Sequence, residues 1–449
     1  MLMHDTIAAI ATANGIGSIS ILRLSGERAL TIALKLTRKS ELQPRYATLT
    51  PLYHEDGTLI DEAIVLYFES PRSFTGEAVV EFQCHGGFVV AESLLKAVLN
   101  EGARLAEPGE FSKRAFLNGR LDLTQAEAIA ALIEAKSDDA ARILARQMKG
   151  ELRGYIEGIR DSLLEILAYS EVVIDYAEED LPQDVVDQIE VKLANIKHTL
   201  SRTLESSRRR AGLMQGFRVA IIGKPNVGKS SLLNALLDYE RAIVSDIAGT
   251  TRDTIEEQVR IGTHLIRLVD TAGIRNAHDE IERIGIERSI AAIENADVVI
   301  ALFDSSREID EEDRAIIDLI ERYHDEKPFI CILNKSDLPE CFETTAIAQY
   351  APISLSCKQE MGALIESLSS LMDHENNDEE MMLISQRQIS ATEGAVRSID
   401  EAYEPLRDGE LEFFSFHINQ AIRSIASISR PYELDEMFDK MFGQFCLGK

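Results

Sequence analysis

Gly223-Lys224-Pro225-Asn226-Val227-Gly228-Lys229-Ser230 has the pattern G-x-x-x-x-G-K-[ST], in which glycines let backbone N–H groups close around phosphate oxygens. Phe217-Arg218-Val219-Ala220-Ile221-Ile222 precedes it, an apolar, β-branched run that reads as a buried strand. Ser231-Leu232-Leu233-Asn234-Ala235-Leu236-Leu237 follows it and reads as a helix. Strand, glycine loop and helix give the context the pattern requires, because the helix N-terminus adds its dipole to the loop amides. The pattern predicts that Lys229 reaches the β- and γ-phosphates of a nucleotide and that Ser230 supplies a hydroxyl to Mg²⁺.

Four further stretches follow in order. Asp246-Ile247-Ala248-Gly249-Thr250-Thr251-Arg252-Asp253 can order around a γ-phosphate, with a threonine hydroxyl on Mg²⁺. Asp270-Thr271-Ala272-Gly273 ends the apolar strand Leu265-Ile266-Arg267-Leu268-Val269. A carboxylate leaving a buried strand beside Mg²⁺ fits the Walker-B position, and Gly273 lets its N–H approach the γ-phosphate. Asn334-Lys335-Ser336-Asp337 follows the strand Phe329-Ile330-Cys331-Ile332-Leu333. Asp337 can accept from both the ring N–H and the exocyclic amine of guanine, a donor pair that adenine lacks, so GTP is preferred over ATP. Ser356-Cys357-Lys358 supplies a backbone N–H to the guanine oxygen. Together these stretches predict a Ras-like P-loop GTPase domain over residues 216–373. Ile274 stands where Ras-like GTPases hold a glutamine that orients the attacking water, and isoleucine cannot do this. Either hydrolysis is slow or other groups act; Arg275 and Glu282 are the candidates in the second switch segment, and both are also readable as solvated helix charges.

Composition bounds the rest. A chain of 449 residues exceeds one ordinary core. The net charge of −29 argues against a protein that coats nucleic acid, and no DNA partner is expected. Arg208-Arg209-Arg210 is readable either as a local RNA patch or as a solvated helix end. The 5 cysteines are scattered without a C-x-x-C, which fits free thiols in a reducing, cytoplasmic setting. No signal peptide is expected from Met1-Leu2-Met3-His4-Asp5, and no apolar run approaches a membrane span.

Residues 1–120 read as mixed α/β. Ser18-Ile19-Ser20-Ile21-Leu22-Arg23-Leu24, Ala63-Ile64-Val65-Leu66-Tyr67-Phe68 and Ala78-Val79-Val80-Glu81-Phe82-Gln83-Cys84 are expected strands, and residues 89–100 an expected helix. Cys84 and His85 are neighbours on a strand and point to opposite faces, so they are not expected to act as nucleophile and base. From 121 to 215 apolar residues recur at helical spacing, as at Ile129, Leu132, Ile133 and Ile159, Leu163, Ile166, Leu167. Helical patterning returns after the acidic linker near residue 374 and runs to the C-terminus. The predicted fold is therefore multidomain α/β plus α: residues 1–120, a helical domain formed by 121–215 and 374–449, and the GTPase domain inserted between them. The C-terminal Phe445-Cys446-Leu447-Gly448-Lys449 fits a prenylation box poorly.

Over essentially its whole length the chain resembles the bacterial tRNA-modification GTPase family MnmE (TrmE). The resemblance rests on Asp5-Thr6-Ile7-Ala8-Ala9, Ser73-Phe74-Thr75-Gly76-Glu77, Cys84-His85-Gly86-Gly87, Pro108-Gly109-Glu110-Phe111, Leu121-Asp122-Leu123-Thr124-Gln125-Ala126-Glu127-Ala128, the nucleotide motifs and the Cys-x-Gly-Lys ending. It implies an N-terminal domain that forms a homodimer and binds 5-formyl- or methylene-tetrahydrofolate through Arg23, Glu81, Arg120 and Lys449. Arg120 is a loose match, since lysine can stand there. It implies K⁺ bound by Asn226 with Ser245, Ile247 and Thr250, Mg²⁺ bound by Ser230 and Thr251, and water oriented by Glu282. In this scheme K⁺ acts where an arginine finger would. It further implies a heterotetramer with the FAD-dependent protein MnmG (GidA), which installs a carboxymethylaminomethyl or aminomethyl group on C5 of the wobble uridine of certain tRNAs. Ribosome-assembly GTPases such as Era and Der share the core, but they would carry an appended RNA-binding module and a basic face.

Overall fold

Four-residue Ile7–Ile10 (β1) is buried almost throughout, and it pairs antiparallel with Ile19–Ser25 (β2). With Thr48–Tyr53 (β3), Leu59–Phe68 (β4), Val79–His85 (β5) and Arg104–Leu105 (β6) these strands form a six-stranded sheet in the order β3-β4-β5-β2-β1-β6. Neighbours are antiparallel except β1 and β6. Helices Ala29–Thr37 (α1) and Phe88–Asn100 (α2) cover one face, where Leu22, Leu24, Phe82, Ile32, Leu36, Leu94 and Val98 form the core. Ile7, Ala9 and Phe111 pack on the other face, beside Glu110–Leu117 (α3). Here β1 and β3 add strands the sequence pattern did not single out. Ile7-Ala8-Ala9-Ile10 has no alternation because both its faces are covered, and Pro51 disguises β3, which is an edge strand where proline is tolerated.

The computed structural model describes residues 5–13, 15, 17–135, 137–175, 183–239, 257–262, 264–269, 283–357, 361–374, 381–430 and 448. It divides into two units, Met1–Ile133 with Arg146–Ile196 and Ser390–Lys449, and Glu134–Ala145 with Lys197–Ile389. After α3 come the helices Leu123–Glu134 (α4), Asp138–Met148 (α5), Glu151–Asp175 (α6), Gln183–Arg209 (α7) and Ala211–Gln215 (α8).

In the second unit Phe217–Ile222 (β7), Glu257–Ile261 (β8), His264–Val269 (β9), Val298–Asp304 (β10), Phe329–Asn334 (β11) and Ile353–Ser354 (β12) form a sheet in the order β12-β11-β10-β7-β9-β8. All pairings are parallel except β8 with β9. The strands are covered on both faces, as parallel strands usually are, which is why β10 is buried at every residue. Lys229–Tyr239 (α9) and Gly362–His374 (α12) contribute to one face with Val219, Ile221, Ile300 and Ile332. Arg283–Asn295 (α10) and Glu311–Tyr323 (α11) contribute to the other with Ala220, Val299, Ala301 and Phe303.

Gln386–Arg407 (α13) and Leu411–Ser429 (α14) complete the described helices. Phe414, Ile418, Ala421, Ile422 and Ile425 form the buried stripe of α14, spaced as a helical face requires. In the first unit α14 packs on α6, where the Ser170 and Ser415 hydroxyls lie 3.1 Å apart. Arg407 of α13 donates to Glu190 of α7 at 2.6 Å. Among the described residues no helix is long and apolar enough to cross a membrane.

Candidate functional site

The glycine loop leaves the buried C-terminal end of β7 and enters α9 at Lys229. Its glycines are required by space as well as by backbone conformation. A Cβ on Gly223 (φ 150) would lie 2.5 Å from the Leu302 carbonyl oxygen, and one on Gly228 (φ 109) would lie 2.2 Å from Asn334 Nδ2. Asn226, exposed at the tip, adopts φ 64, a left-handed conformation that asparagine tolerates better than most residues.

Side-chain donors occupy the loop carbonyls. Lys229 Nζ donates to Gly223 O at 2.6 Å and Lys224 O at 2.9 Å. Lys335 Nζ donates to Asn226 O at 3.0 Å, and Asn334 Nδ2 to Val227 O at 2.8 Å. With these carbonyls committed, the amide N–H groups and the N-terminal end of α9 are the polarity the loop can offer, and both suit an anion. Desolvation pushes the Lys229 ammonium below the usual lysine range.

Asn334 ends β11, Lys335 and Asp337 follow it, and together they connect the loop to its neighbours. Ser356 Oγ donates to Asp337 Oδ1 at 3.0 Å, and Cys357 N to Asn334 Oδ1 at 3.2 Å. These contacts join the loop after β11 to the loop after β12, two adjacent parallel strands. The site thus lies beyond the C-terminal ends of β7, β11 and β12, where open α/β sheets place ligands. Ser230 and Ser231, in the first turn of α9, are both exposed. The Ser230 hydroxyl and the Asn226 amide oxygen are hard donors, chemically suited to Mg²⁺ and K⁺ respectively.

Two acidic features escaped the sequence reading. Asp304, buried at the end of β10, accepts from Lys335 Nζ at 2.5 Å and from Ser306 N and Oγ at 3.0 and 2.6 Å. Burial alone would raise its pKa, but these donors outweigh it and hold the carboxyl below the usual range. Lys224, almost fully buried, donates to Asp310 Oδ2 at 2.5 Å and Asp313 Oδ2 at 2.6 Å. Asp310 and Asp313 also cap α11 reciprocally. The signals were present: Asp304 closes an apolar strand, as Asp270 does in the sequence, and D-x-x-D before a helix is a capping pattern.

Ser245, Asp246, Ile247, Ala248, Gly249, Thr250, Thr251, Asp270, Thr271, Ala272, Gly273, Ile274, Arg275, Glu282, Cys446 and Lys449 lie outside the described residues.

A second cluster sits on the face of the N-terminal sheet away from α1 and α2. Arg23 and Glu81 are cross-strand partners on β2 and β5, and Arg23 Nε and Nη2 reach Glu81 Oε1 at 2.9 and 2.8 Å. The guanidinium lies 5.4 and 5.7 Å from the ring centres of Phe74 and Phe111. Arg120 Nε donates to Ser73 O at 3.1 Å, next to Phe74. Gly448 docks at the end of β1, where a Cβ would meet Ile10 O at 2.6 Å. Cys84 is buried on one side of β5 while His85 is exposed and hydrogen-bonded to Asp61 at 2.8 Å, so the two side chains are apart as strand alternation requires. Burial, with the charge of Asp61 adding to it, pushes the Cys84 thiol up. Arg210 is buried, so the arginine triplet does not form one continuous exposed patch.

Comparison with known families places this geometry in context. Residues 123–446 match the family described as the MnmE helical domain, and residues 6–120 match the family described as the GTP-binding protein TrmE N-terminus. A protein of Sulfurimonas denitrificans named tRNA modification GTPase MnmE is 64% identical over 448 residues, covering 100% of both chains. Proteins of the same name from a Sulfurovum species and from Campylobacter jejuni are 58% and 50% identical, each over 447 residues and 99% or more of both chains.

Proposed function

The chain belongs to the MnmE family of tRNA modification GTPases, and from that premise we propose that it hydrolyses GTP in a K⁺-dependent manner during wobble-uridine modification of tRNA. The observation that carries the reading is the interlock of Lys335 and Asn334 with the Asn226 and Val227 carbonyls. It makes the phosphate loop and the segment bearing Asp337 one piece, so base and phosphates are read together.

In this reading the amides of residues 226–231 bind the phosphates, and Lys229 transfers its hydrogen bonds from the Gly223 and Lys224 carbonyls to the β- and γ-phosphates. Ser230 with Thr251 holds Mg²⁺, and Asn226 with Ser245, Ile247 and Thr250 holds K⁺. These ions supply positive charge where negative charge develops in the transition state. Glu282 orients water, and Arg275 lies in the same switch. Asp337 selects guanine while Ser356 fixes its carboxylate.

The chain is proposed to comprise a folate-binding and dimerising domain (1–120), a helical domain in two parts (121–215 and 374–449), and a Ras-like GTPase domain (216–373) inserted between them. Contacts of α14 with α6 and of α13 with α7 support joining the two helical parts. Both Arg23 bonds fall on Glu81 Oε1, so among the described residues Oε2 remains to accept N–H groups of a pterin ring. Half-buried Phe74, backed by the buried Phe111, offers the apolar surface such a ring needs, and Arg120 and Lys449 supply positive charge for a folate. The protein is proposed to act in the cytoplasm as a homodimer with an FAD-dependent MnmG partner, adding a carboxymethylaminomethyl or aminomethyl group to C5 of uridine.

Substituting Asp337→Asn tests the nucleotide assignment. The variant is expected to lose preference for GTP and to gain xanthosine triphosphate, whose exocyclic C2 carbonyl oxygen can accept from the asparagine amide. Unchanged preference would contradict the guanine role.

A further inference from the structure

We propose that Lys224 is a positioning residue for nucleotide binding, a brace that ties the glycine loop to the capped end of α11 and keeps its shape when Lys229 turns to phosphate. The inference rests on the GTP reading above. Lys229 is an internal clamp, donating to Gly223 O and Lys224 O. An ammonium committed to phosphate oxygens gives up one or both of these bonds. The other braces, Lys335 and Asn334, hold the loop at Asn226 and Val227, on the far side of Pro225. On the near side the described side-chain anchor is Lys224 itself, which is 6% exposed and bonded to Asp310 and Asp313. Asp313 is 2% exposed and is itself fixed by the reciprocal cap with Asp310. A buried lysine held by two carboxylates of a capped helix has little freedom to move, so its backbone carbonyl stays placed as well.

The brace therefore contributes more to the bound loop than to the free loop, and its loss appears in affinity. The test is equilibrium binding of a fluorescent GDP analogue to the full chain, with wild type, Lys224→Met, Lys224→Arg, Asp310→Asn and the Lys224→Met/Asp310→Asn pair compared at a temperature where each is folded. Asparagine still caps a helix, so Asp310→Asn removes the charge of the pair without removing the cap. Lys224→Met is expected to weaken GDP binding by about tenfold, equivalent to about 1.4 kcal/mol. Lys224→Arg should restore part of the affinity, and Asp310→Asn should have its effect only when Lys224 is present. If Lys224→Met fails to fold because Asp313 is left buried without its cation, Lys224→Met/Asp313→Asn takes its place. Lower thermal stability with unchanged GDP affinity would overturn the proposal. Wild-type protein that binds no GDP would instead overturn the nucleotide reading itself.

Discussion

Lys335 ties two parts of the site together: its ammonium joins buried Asp304 to the carbonyl of Asn226. Asp304→Asn keeps the shape but removes the ion pair, and is expected to weaken GTP binding about tenfold, the scale of a charge-assisted hydrogen bond. Isothermal titration with GTP would show it; unchanged affinity would mean Lys335 holds its place without the carboxylate. Glu282→Ala is expected to lower turnover strongly with little loss of GTP affinity, and a large affinity loss would assign Glu282 to binding instead. At this scale the sequence was legible where chemistry is local. Gly223, Lys229 and Ser230 lie in one contiguous motif. Lys224 and Asp313 are far apart along the chain, and a buried lysine has the same letter as a solvated one. Phe74 and Phe111 likewise gain meaning only when Arg23 is placed beside them.

Segment 73–77 shows how an irregular stretch is held in place. Buried Arg114 on α3 donates to Asp5, Glu77 and Glu110 at 2.6, 3.2 and 3.0 Å. Glu77 also accepts from Ser25, whose hydroxyl lies 2.6 Å from that of Thr75. The network fixes the segment that presents Phe74. Arg114→Met leaves Glu110 and Glu77 without their shared cation and is expected to cost about 3–5 kcal/mol, as breaking buried ion pairs does. Urea denaturation would measure this. The same network sets a pH dependence. Burial opposes ionisation of Glu110, but Arg104, the Glu107 amide and Arg114 outweigh it, and its folded pKa lies below the ordinary 4.5. Asp5, held chiefly by Arg104, lies below 3.8. A lowered folded pKa means stability fully present above the ordinary value and lost as pH falls through the folded one. Denaturation midpoints should therefore be flat above about pH 5 and fall steadily below it; a midpoint that holds constant through pH 3 would show that the network contributes nothing. The strands of this domain were legible from alternation in β2 and β5, whereas the network, assembled from α3 and the separate segments that carry Asp5, Ser25, Glu77 and Arg104, was not.

Across the whole molecule, the order of the chain and the order of its assembly differ. The helical segments before and after the second sheet were legible as helices from periodicity, but their pairing through Ser170 and Ser415 is a long-range fact that periodicity does not carry. Gly448 approaches Ile10 at the end of β1, a contact between residues far apart in the chain that periodicity does not carry either. A strain lacking this protein is expected to lose the C5 modification of wobble uridine with normal ribosome profiles; the reverse outcome would favour an assembly GTPase. Ile274 stands in place of the glutamine that orients water in Ras-like GTPases, and the proposed reading gives that role to Glu282 and the countercharge to a monovalent cation at Asn226. The most direct test is GTP turnover by the purified full-length protein in KCl against NaCl at equal ionic strength. The account predicts a large stimulation specific to K⁺; equal, slow turnover in both salts would contradict it and place the missing catalytic group on a partner.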